Sequence, residues 1–210
     1  MTGEHPERTS SESRFTAESW HGGYYELGLV LGPVSDPHAD DRLGQAVRAV
    51  WSHADLSGPY PHRLFSTSDQ RIDIASAPTG LASLYGVVRL SFGATALSTI
   101  IVREEAEPFE DWLYVSLPLG ELSRILPAVD GYPVPPDDDG SYWTPTVDAF
   151  LLSVAETVAE CASFDRGFIG WEVSGFSYEN RTPVPEERAF GVLLGEGNRF
   201  TYYPATLAER

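Results

Sequence analysis

Hydrophobic positions along the chain repeat with two different periods, which divide the sequence into strands and helices. Apolar residues that alternate or run without interruption predict strands at 24–31, 71–75, 84–91, 96–103, 111–119, 167–175, 189–194 and 200–203. Apolar residues three and four positions apart predict two main helices, 37–54 and 145–162, and a helical turn at 121–126. Trp51 and Val154 lie on the apolar stripes of these helices, so we expect both to be deeply buried. The pattern predicts an α+β protein with a mostly antiparallel sheet.

The predicted elements follow the same order in the two halves of the chain. Each half reads as a strand, a helix and three strands, and the segment ELGLVLG shares its Leu-x-Leu-Gly ending with YVSLPLG. A duplicated unit, with repeats at 20–105 and 110–205, is one interpretation, and ordinary similarity between strands is the other. Residues 1–18 are polar and show no apolar period, which predicts a flexible tail ahead of a single domain at 19–210.

The charge balance of the chain restricts its partners. The 210 residues include 31 acidic and 14 basic side chains, all of the latter arginine, and the formal net charge is -17. Such a surface repels nucleic acid, and it attracts basic proteins or cationic small molecules mainly by raising their association rates. No apolar run reaches the roughly 18 residues of a membrane span, and the N-terminus lacks a signal-peptide pattern. We therefore expect a cytoplasmic protein with no nucleic-acid or membrane partner.

Catalytic and cofactor signatures are absent from the sequence. It contains no glycine-rich phosphate loop, no nucleophile elbow and no helical zinc-binding histidine pair. Cys161, the single cysteine, lies on the apolar stripe of the second helix, which predicts a buried, unreactive thiol. The segment DPHADD at 36–41 contains possible metal ligands, but carboxylates at the start of a helix are typical of capping. We expect no metal site and no cofactor, and nothing indicates an enzyme.

An acidic connector between the two halves is the first candidate binding site. Its acidic residues surround one aromatic side chain, and the set consists of Glu104, Glu105, Glu107, Phe109, Glu110 and Asp111. Runs of charge are often no more than solvated connectors. The functional interpretation is an acidic patch for a basic protein, in which Phe109 and Trp112 act as aromatic anchors.

The second candidate is a carboxylate inside a predicted strand, GFIGWEVSG at 167–175. Alternation places Trp171 and Val173 on one face and Glu172 on the other. Glu172 then faces solvent, pairs with an arginine such as Arg89 or Arg166, or lines a groove between the halves. In the last case the long loop before the second helix folds over the groove and contributes Tyr142 and Trp143.

These two sites correspond to two different functions. One is a non-catalytic acidic binding protein that engages a basic protein partner, as immunity and antitoxin-like proteins do. The alternative is a small-molecule-binding domain with an aromatic, carboxylate-containing groove between two repeats, which would take a cationic ligand. The sequence leaves the oligomeric state open.

Overall fold

One antiparallel sheet of eight strands forms the centre of the structure. The computed structural model describes residues 15–66, 69–74, 83–107, 109–126, 143–175 and 184–207. The strands are β1 Tyr24–Pro33, β2 Leu56–Tyr60, β3 Ser83–Leu90, β4 Gly93–Arg103, β5 Glu110–Pro118, β6 Arg166–Trp171, β7 Gly191–Glu196 and β8 Arg199–Tyr203. They lie in the order β2-β3-β4-β5-β1-β6-β7-β8. The described helices are α1 Ala39–Ser52, α2 Leu119–Ile125 and α3 Thr144–Cys161, with short 3-10 helices at Ala17–Trp20 and Val173–Gly175. The predicted α+β class is confirmed.

Helices α1 and α3 contact each other and pack their apolar stripes against one face of the sheet. Trp51 and Val154 are 8% and 0% exposed, which confirms their predicted burial. The Trp51 ring covers Gly58 and Gly86, since a Cβ at Gly86 would lie 2.5 Å from a ring carbon. The indole Nε1 donates a hydrogen bond to Thr99 Oγ1 at 3.1 Å. Small residues in β2 and β3 therefore make the space that the tryptophan fills.

The opposite face of the sheet also carries buried side chains at its centre. There a second apolar cluster combines residues of β1, β5 and β6 with one that follows β6; its buried members are Val30, Trp112, Tyr114, Phe168 and Val173. Strands β1 and β5 are thus buried on both faces, as the uninterrupted apolar run of β1 predicts. A polar side chain on this second face therefore lies in a dry environment.

Two predicted features of single segments are wrong. Of the strand expected at 71–75, the described residues 71–74 form no part, and Leu56–Tyr60 supplies the edge strand instead. Gly58-Pro59 indicates a loop by composition, but an edge strand tolerates proline because one side of its backbone has no strand partner. Cys161 is exposed rather than buried. It is the last residue of α3, and the next residue, Ala162, packs into the core in its place.

The N-terminal boundary also differs from the prediction. The tail was expected to extend to residue 18, but Phe15 is buried and its ring centroid lies 4.9 Å from that of Phe65. The 3-10 helix Ala17–Trp20 follows, and Trp20 Nε1 donates to the Arg63 carbonyl at 3.0 Å. Two aromatic side chains in a polar segment therefore anchor it to the sheet. Residues 1–14 lie outside the described residues.

The two halves of the chain occupy the sheet differently. Helix α1 follows β1 and precedes β2, which lies at the far edge of the sheet. The connection that contains α3 leads from β5 to β6, and only β1 separates these two strands. The halves share an order of elements but not an order of strands, so the topology gives no support to a duplicated unit.

Candidate functional site

The acidic connector forms the end of the β4–β5 hairpin, and its last residue is buried. Asp111 lies opposite Arg103 in the strand register and is 0% exposed. Its carboxylate accepts hydrogen bonds from Arg103 Nε at 2.8 Å and Nη2 at 3.0 Å. The same Nη2 also donates to Asp40 at 2.8 Å. Hydrogen bonds from the guanidinium to Asp111 and then Asp40 raise the pKa of Arg103. Asp111 therefore stabilises the hairpin and presents no charge to a partner. Trp112, the next residue, is 5% exposed and belongs to the second-face cluster, so the prediction that it anchors a partner is wrong.

Glu110 is also neutralised inside the protein. Its Oε2 accepts a hydrogen bond from Arg166 Nη2 at 2.6 Å, and both side chains are less than one fifth exposed. Burial raises the pKa of Glu110, while the charge of Arg166 opposes that shift. Glu104 accepts a hydrogen bond from the Glu110 amide at 3.4 Å, and its own amide donates to the Glu110 carbonyl at 3.0 Å. The hydrogen bonds between Glu104 and Glu110 thus join the two strands where the β4–β5 connection begins and ends.

The remaining residues of the connector form an exposed tip. Glu105 and Glu107 are exposed, and neither makes an ion pair or side-chain hydrogen bond in the described part of the chain. Phe109 is 45% exposed and has a φ of 56°. Its amide donates to the Ala106 carbonyl, and its carbonyl accepts from the Val34 amide, both at 2.8 Å. A left-handed φ costs a bulky residue about 1–2 kcal/mol. The backbone thus holds Phe109 in a strained conformation that leaves its ring in solvent.

Glu172 lies directly after β6, at a φ of 43° that turns the backbone out of the sheet. Its amide donates to the Tyr24 carbonyl at 2.9 Å, and its half-buried carboxylate packs against Gly23. This turn makes the predicted alternation wrong for Val173, which joins the second-face cluster instead of sharing the face of Trp171. No ion pair of the described residues includes Glu172.

Trp143 is a core residue. It is 1% exposed, and its ring makes edge-to-face contacts with Tyr25 and Trp171, with centroids 5.2 and 5.5 Å apart. Tyr142 lies outside the described residues. Trp143 is the buried residue at the start of α3, whereas the Glu172 carboxylate packs against Gly23, so Trp143 has no exposed ring surface to offer a ligand.

The sequence predicted an unusual carboxylate at Glu172, but the carboxylate that is buried without an arginine partner among the described residues is Glu26, in β1. It is 1% exposed, and its Oε1 accepts a hydrogen bond from Ser116 Oγ at 2.7 Å. Its Oε2 accepts from the Ser174 amide at 3.0 Å and from Ser174 Oγ at 2.8 Å. No arginine or histidine of the described residues pairs with it. Glu26 thus joins β5 and the turn after β6 on the second face. The sequence feature that could have identified Glu26 is its position as the single acidic residue in the apolar run YYELGLVL.

A serine, a histidine and an aspartate meet where α1 ends, but their hydrogen bonds differ from those of a hydrolase triad. His53 Nε2 lies 3.0 Å from Ser153 Oγ, and the Asp55 amide donates to His53 Nδ1 at 3.3 Å. Nδ1 is therefore an acceptor, which places the ring proton on Nε2, where it faces the serine. A catalytic histidine needs the opposite tautomer, with Nδ1 protonated and Nε2 accepting. These three residues brace α1 against α3.

Metal ligands and membrane-spanning helices are two further features considered for the described residues. No group of three or more histidine, cysteine or carboxylate side chains could hold a metal ion among them. The predicted capping role of Asp36 is wrong, because α1 begins at Ala39 with His38 as its N-cap and no described side chain caps it. Asp36 instead accepts the His38 amide at 2.8 Å and pairs with Arg42. These contacts, with the backbone hydrogen bond the larger cause, lower the pKa of Asp36. No described helix is long and apolar enough to cross a membrane.

Comparisons with known proteins find no matching family model, no matching curated protein and no matching solved structure.

Proposed function

We propose that the protein is a non-catalytic acidic binding protein that engages a basic protein partner, as immunity and antitoxin-like proteins do. The observation that carries this proposal is the tip of the β4–β5 hairpin. There Phe109 is held exposed at a left-handed φ, beside the unpaired carboxylates of Glu105 and Glu107. Strain that no burial offsets is typical of positions kept for binding. A cytoplasmic location is part of the proposal.

The six residues of the acidic connector divide into three roles under this proposal. Asp111, Glu110 and Glu104 hold the hairpin through arginines and backbone amides. Glu105 and Glu107 supply the charge that steers a basic surface toward the tip, where the net charge of -17 adds a long-range attraction. Phe109 supplies the apolar contact that slows dissociation. Aromatic anchors surrounded by charge commonly dominate interface energies.

The small-molecule alternative has less support. Its groove required Glu172 and Trp143 on one surface, and Trp143 is enclosed by Tyr25 and Trp171 in the core. Glu26 is the buried carboxylate that has no arginine partner among the described residues, and its hydrogen bonds to Ser116 and Ser174 already satisfy both of its oxygens.

A pair of matched variants tests the proposal. Glu105→Gln/Glu107→Gln removes two exposed charges at the tip, and Glu156→Gln/Glu160→Gln removes two exposed charges from α3. Both variants change the net charge equally. The tagged wild type recovers its partner from a lysate of the native host, mass spectrometry identifies it, and calorimetry with the purified partner gives the affinities.

We expect the tip variant to weaken binding about tenfold and Phe109→Ala to weaken it by at least as much, chiefly through faster dissociation. The α3 variant should bind within about twofold of the wild type, because charges far from an interface are screened. Equal losses in both double variants would mean that net charge alone attracts the partner. A partner whose affinity is unchanged by all three variants would refute the proposed site.

A further inference from the structure

The two edges of the sheet differ in how their backbones are covered. At the β2 edge, Pro59 has no amide hydrogen, and its carbonyl accepts from the Ile72 amide at 2.8 Å. Arg71 Nη2 donates to Ser57 Oγ at 2.8 Å, so the chain after β2 lies along this edge. Proline and covering segments of this kind prevent edge strands from pairing with other chains. The β2 edge is closed.

At the β8 edge, no described segment covers the backbone. Strand β8 pairs only with β7, and the turn between them places Glu196 opposite Arg199 and Leu194 opposite Thr201. In a hairpin with a two-residue turn, the residues flanking the turn are hydrogen-bonded and the pairs alternate from there. Phe200 and Tyr202 therefore direct their N–H and C=O groups away from β7. Within the described chain, no backbone group outside β7 bonds to residues 199–203.

The side chains of β8 also suit pairing. Phe200 lies against Phe164, with centroids 5.7 Å apart, and the Tyr202 hydroxyl donates to Asp148 at 3.4 Å. Both aromatic residues remain half exposed, while Arg199 and Thr201 are exposed. The strand RFTYY contains no carboxylate in a chain with 31 acidic residues. It is thus a stretch where a second copy of this acidic protein would meet no negative charge on the strand itself.

We propose that β8 pairs with β8 of a second copy, antiparallel about a twofold axis at Thr201, which extends the sheet across a dimer. The sequence is self-complementary in this register. Phe200 faces Tyr202 of the second copy, and these are the residues whose backbone groups point outward, so each pair exchanges both backbone hydrogen bonds. The half-exposed aromatic rings become cross-strand neighbours. Thr201 meets its own copy at the axis, and Arg199 faces Tyr203, so no residue of the strand opposes a like charge.

Substitutions at the axis give a test that is specific to twofold pairing. Thr201 is exposed, so Thr201→Asp and Thr201→Arg should both fold, which circular dichroism and thermal melting check. In the dimer each copy would meet its own charge about 5 Å away. We expect each variant alone to dimerise about fivefold or more weakly than the wild type. An equimolar mixture of the two should recover the dimer, because Asp then faces Arg.

Sedimentation velocity over a wide dilution series measures this equilibrium for the full chain. The wild type should approach twice the 23.0 kDa monomer mass as concentration rises. It should do so more readily at high salt, which screens the repulsion between two negative molecules. A wild type that stays monomeric up to its solubility limit overturns the proposal and leaves the edge to a strand of a different protein. A dimer that neither substitution weakens, or that the mixture does not restore, also overturns it. None of these results depends on the hairpin tip, since the proposed partner site lies elsewhere on the chain.

Discussion

Glu26 is the residue whose replacement tests the described packing most directly. It is buried on the second face of the sheet without a cation, and its three hydrogen bonds come from Ser116 and Ser174. Removing it by Glu26→Ala leaves these donors without their acceptor and opens a cavity among buried side chains. Glu26→Gln keeps the shape. Its amide oxygen can accept from both groups of Ser174, and its NH₂ can donate to the Ser116 hydroxyl, which rotates to accept.

The expected costs follow from the number of hydrogen bonds lost. A hydrogen bond to a charged group contributes about 1.5–3 kcal/mol net, and orphaned buried donors add their own desolvation cost. Because the contributions are not additive, we expect Glu26→Ala to lower the free energy of unfolding by about 3–5 kcal/mol. In Glu26→Gln the hydrogen bonds are no longer strengthened by a charge, but the protein also no longer has to bury that charge. These two effects oppose each other, so Glu26→Gln should lower the free energy of unfolding by no more than about 1.5 kcal/mol.

Thermal and urea unfolding measure these differences. For a chain of this size 1 kcal/mol corresponds to about 2–4 °C, so Glu26→Ala should lower Tm by roughly 6–20 °C. Ser116→Ala removes a single donor and should cost about 1 kcal/mol. Ser98→Ala is the matched control, because Ser98 lies opposite Ser116 on β4 and makes no hydrogen bond to Glu26. If Glu26→Ala were as stable as Glu26→Gln, the three hydrogen bonds would contribute nothing and the reasoning would be refuted.

Further predictions concern a second carboxylate, the core, the hairpin tip and the N-terminal segment. Burial raises the pKa of Asp148, and the hydroxyls of Tyr25 and Tyr202 oppose that shift. A carboxyl with a raised folded pKa binds its proton more tightly in the folded state, so the stability it gives is present at low pH and lost as pH rises through that pKa. The side chain in Asp148→Asn stays neutral, so the unfolding free energy of this variant should rise relative to that of the wild type as pH rises through the mildly acidic range. Urea titrations at several pH values measure the difference between the two proteins. A difference that does not change with pH would contradict this prediction. Trp51→Ala should cost about 3–5 kcal/mol in urea unfolding, since it empties the space over Gly58 and Gly86, and a cost below 1 kcal/mol would contradict the packing. Phe109→Gly should leave Tm unchanged or raise it, because glycine relieves the left-handed strain, whereas Phe109→Ala should not; a clear loss with glycine would show that the ring packs on the domain. A truncation that starts at Glu18 should melt below one that starts at Phe15, because only the longer chain keeps the contact with Phe65; equal melting would mean that this contact contributes nothing.

Periodicity predicted the elements with strong burial and failed where composition gave a competing signal. The stripes of α1 and α3 were identified because one face of each helix packs on the sheet, which fixes the spacing of apolar residues. Strand β2 was missed because Gly58 and Pro59 indicate a turn, and only the edge position of the strand makes them acceptable. The anchored segment around Phe15 was missed because its two aromatic residues are too few to produce a period.

The candidate sites show the same limit at the level of single side chains. The sequence located the acidic connector, but it had no means of showing that Glu110 and Asp111 pair with arginines while Glu105 and Glu107 do not. These pairings depend on strand register and on β6, which is remote in sequence. Likewise, alternation identified Glu172 as an unusual carboxylate but not the turn that removes it from the strand. Glu26, inside a run buried on both faces, was the stronger signal.

The pairing of charges inside the molecule determines which charge is left for partners. Arginines are fewer than carboxylates, and several are committed to internal ion pairs, namely Arg42 with Asp36, Arg103 with Asp111 and Arg166 with Glu110. Each pair cancels one positive and one negative charge, so the net charge of -17 is carried by the carboxylates that remain. A surface with this charge attracts a basic protein and repels a second copy of itself, and salt weakens both effects. The hairpin tip and the β8 edge should consequently respond to salt in opposite directions, with partner binding weakened and self-pairing strengthened. That opposition distinguishes the two proposed surfaces even before their residues are altered.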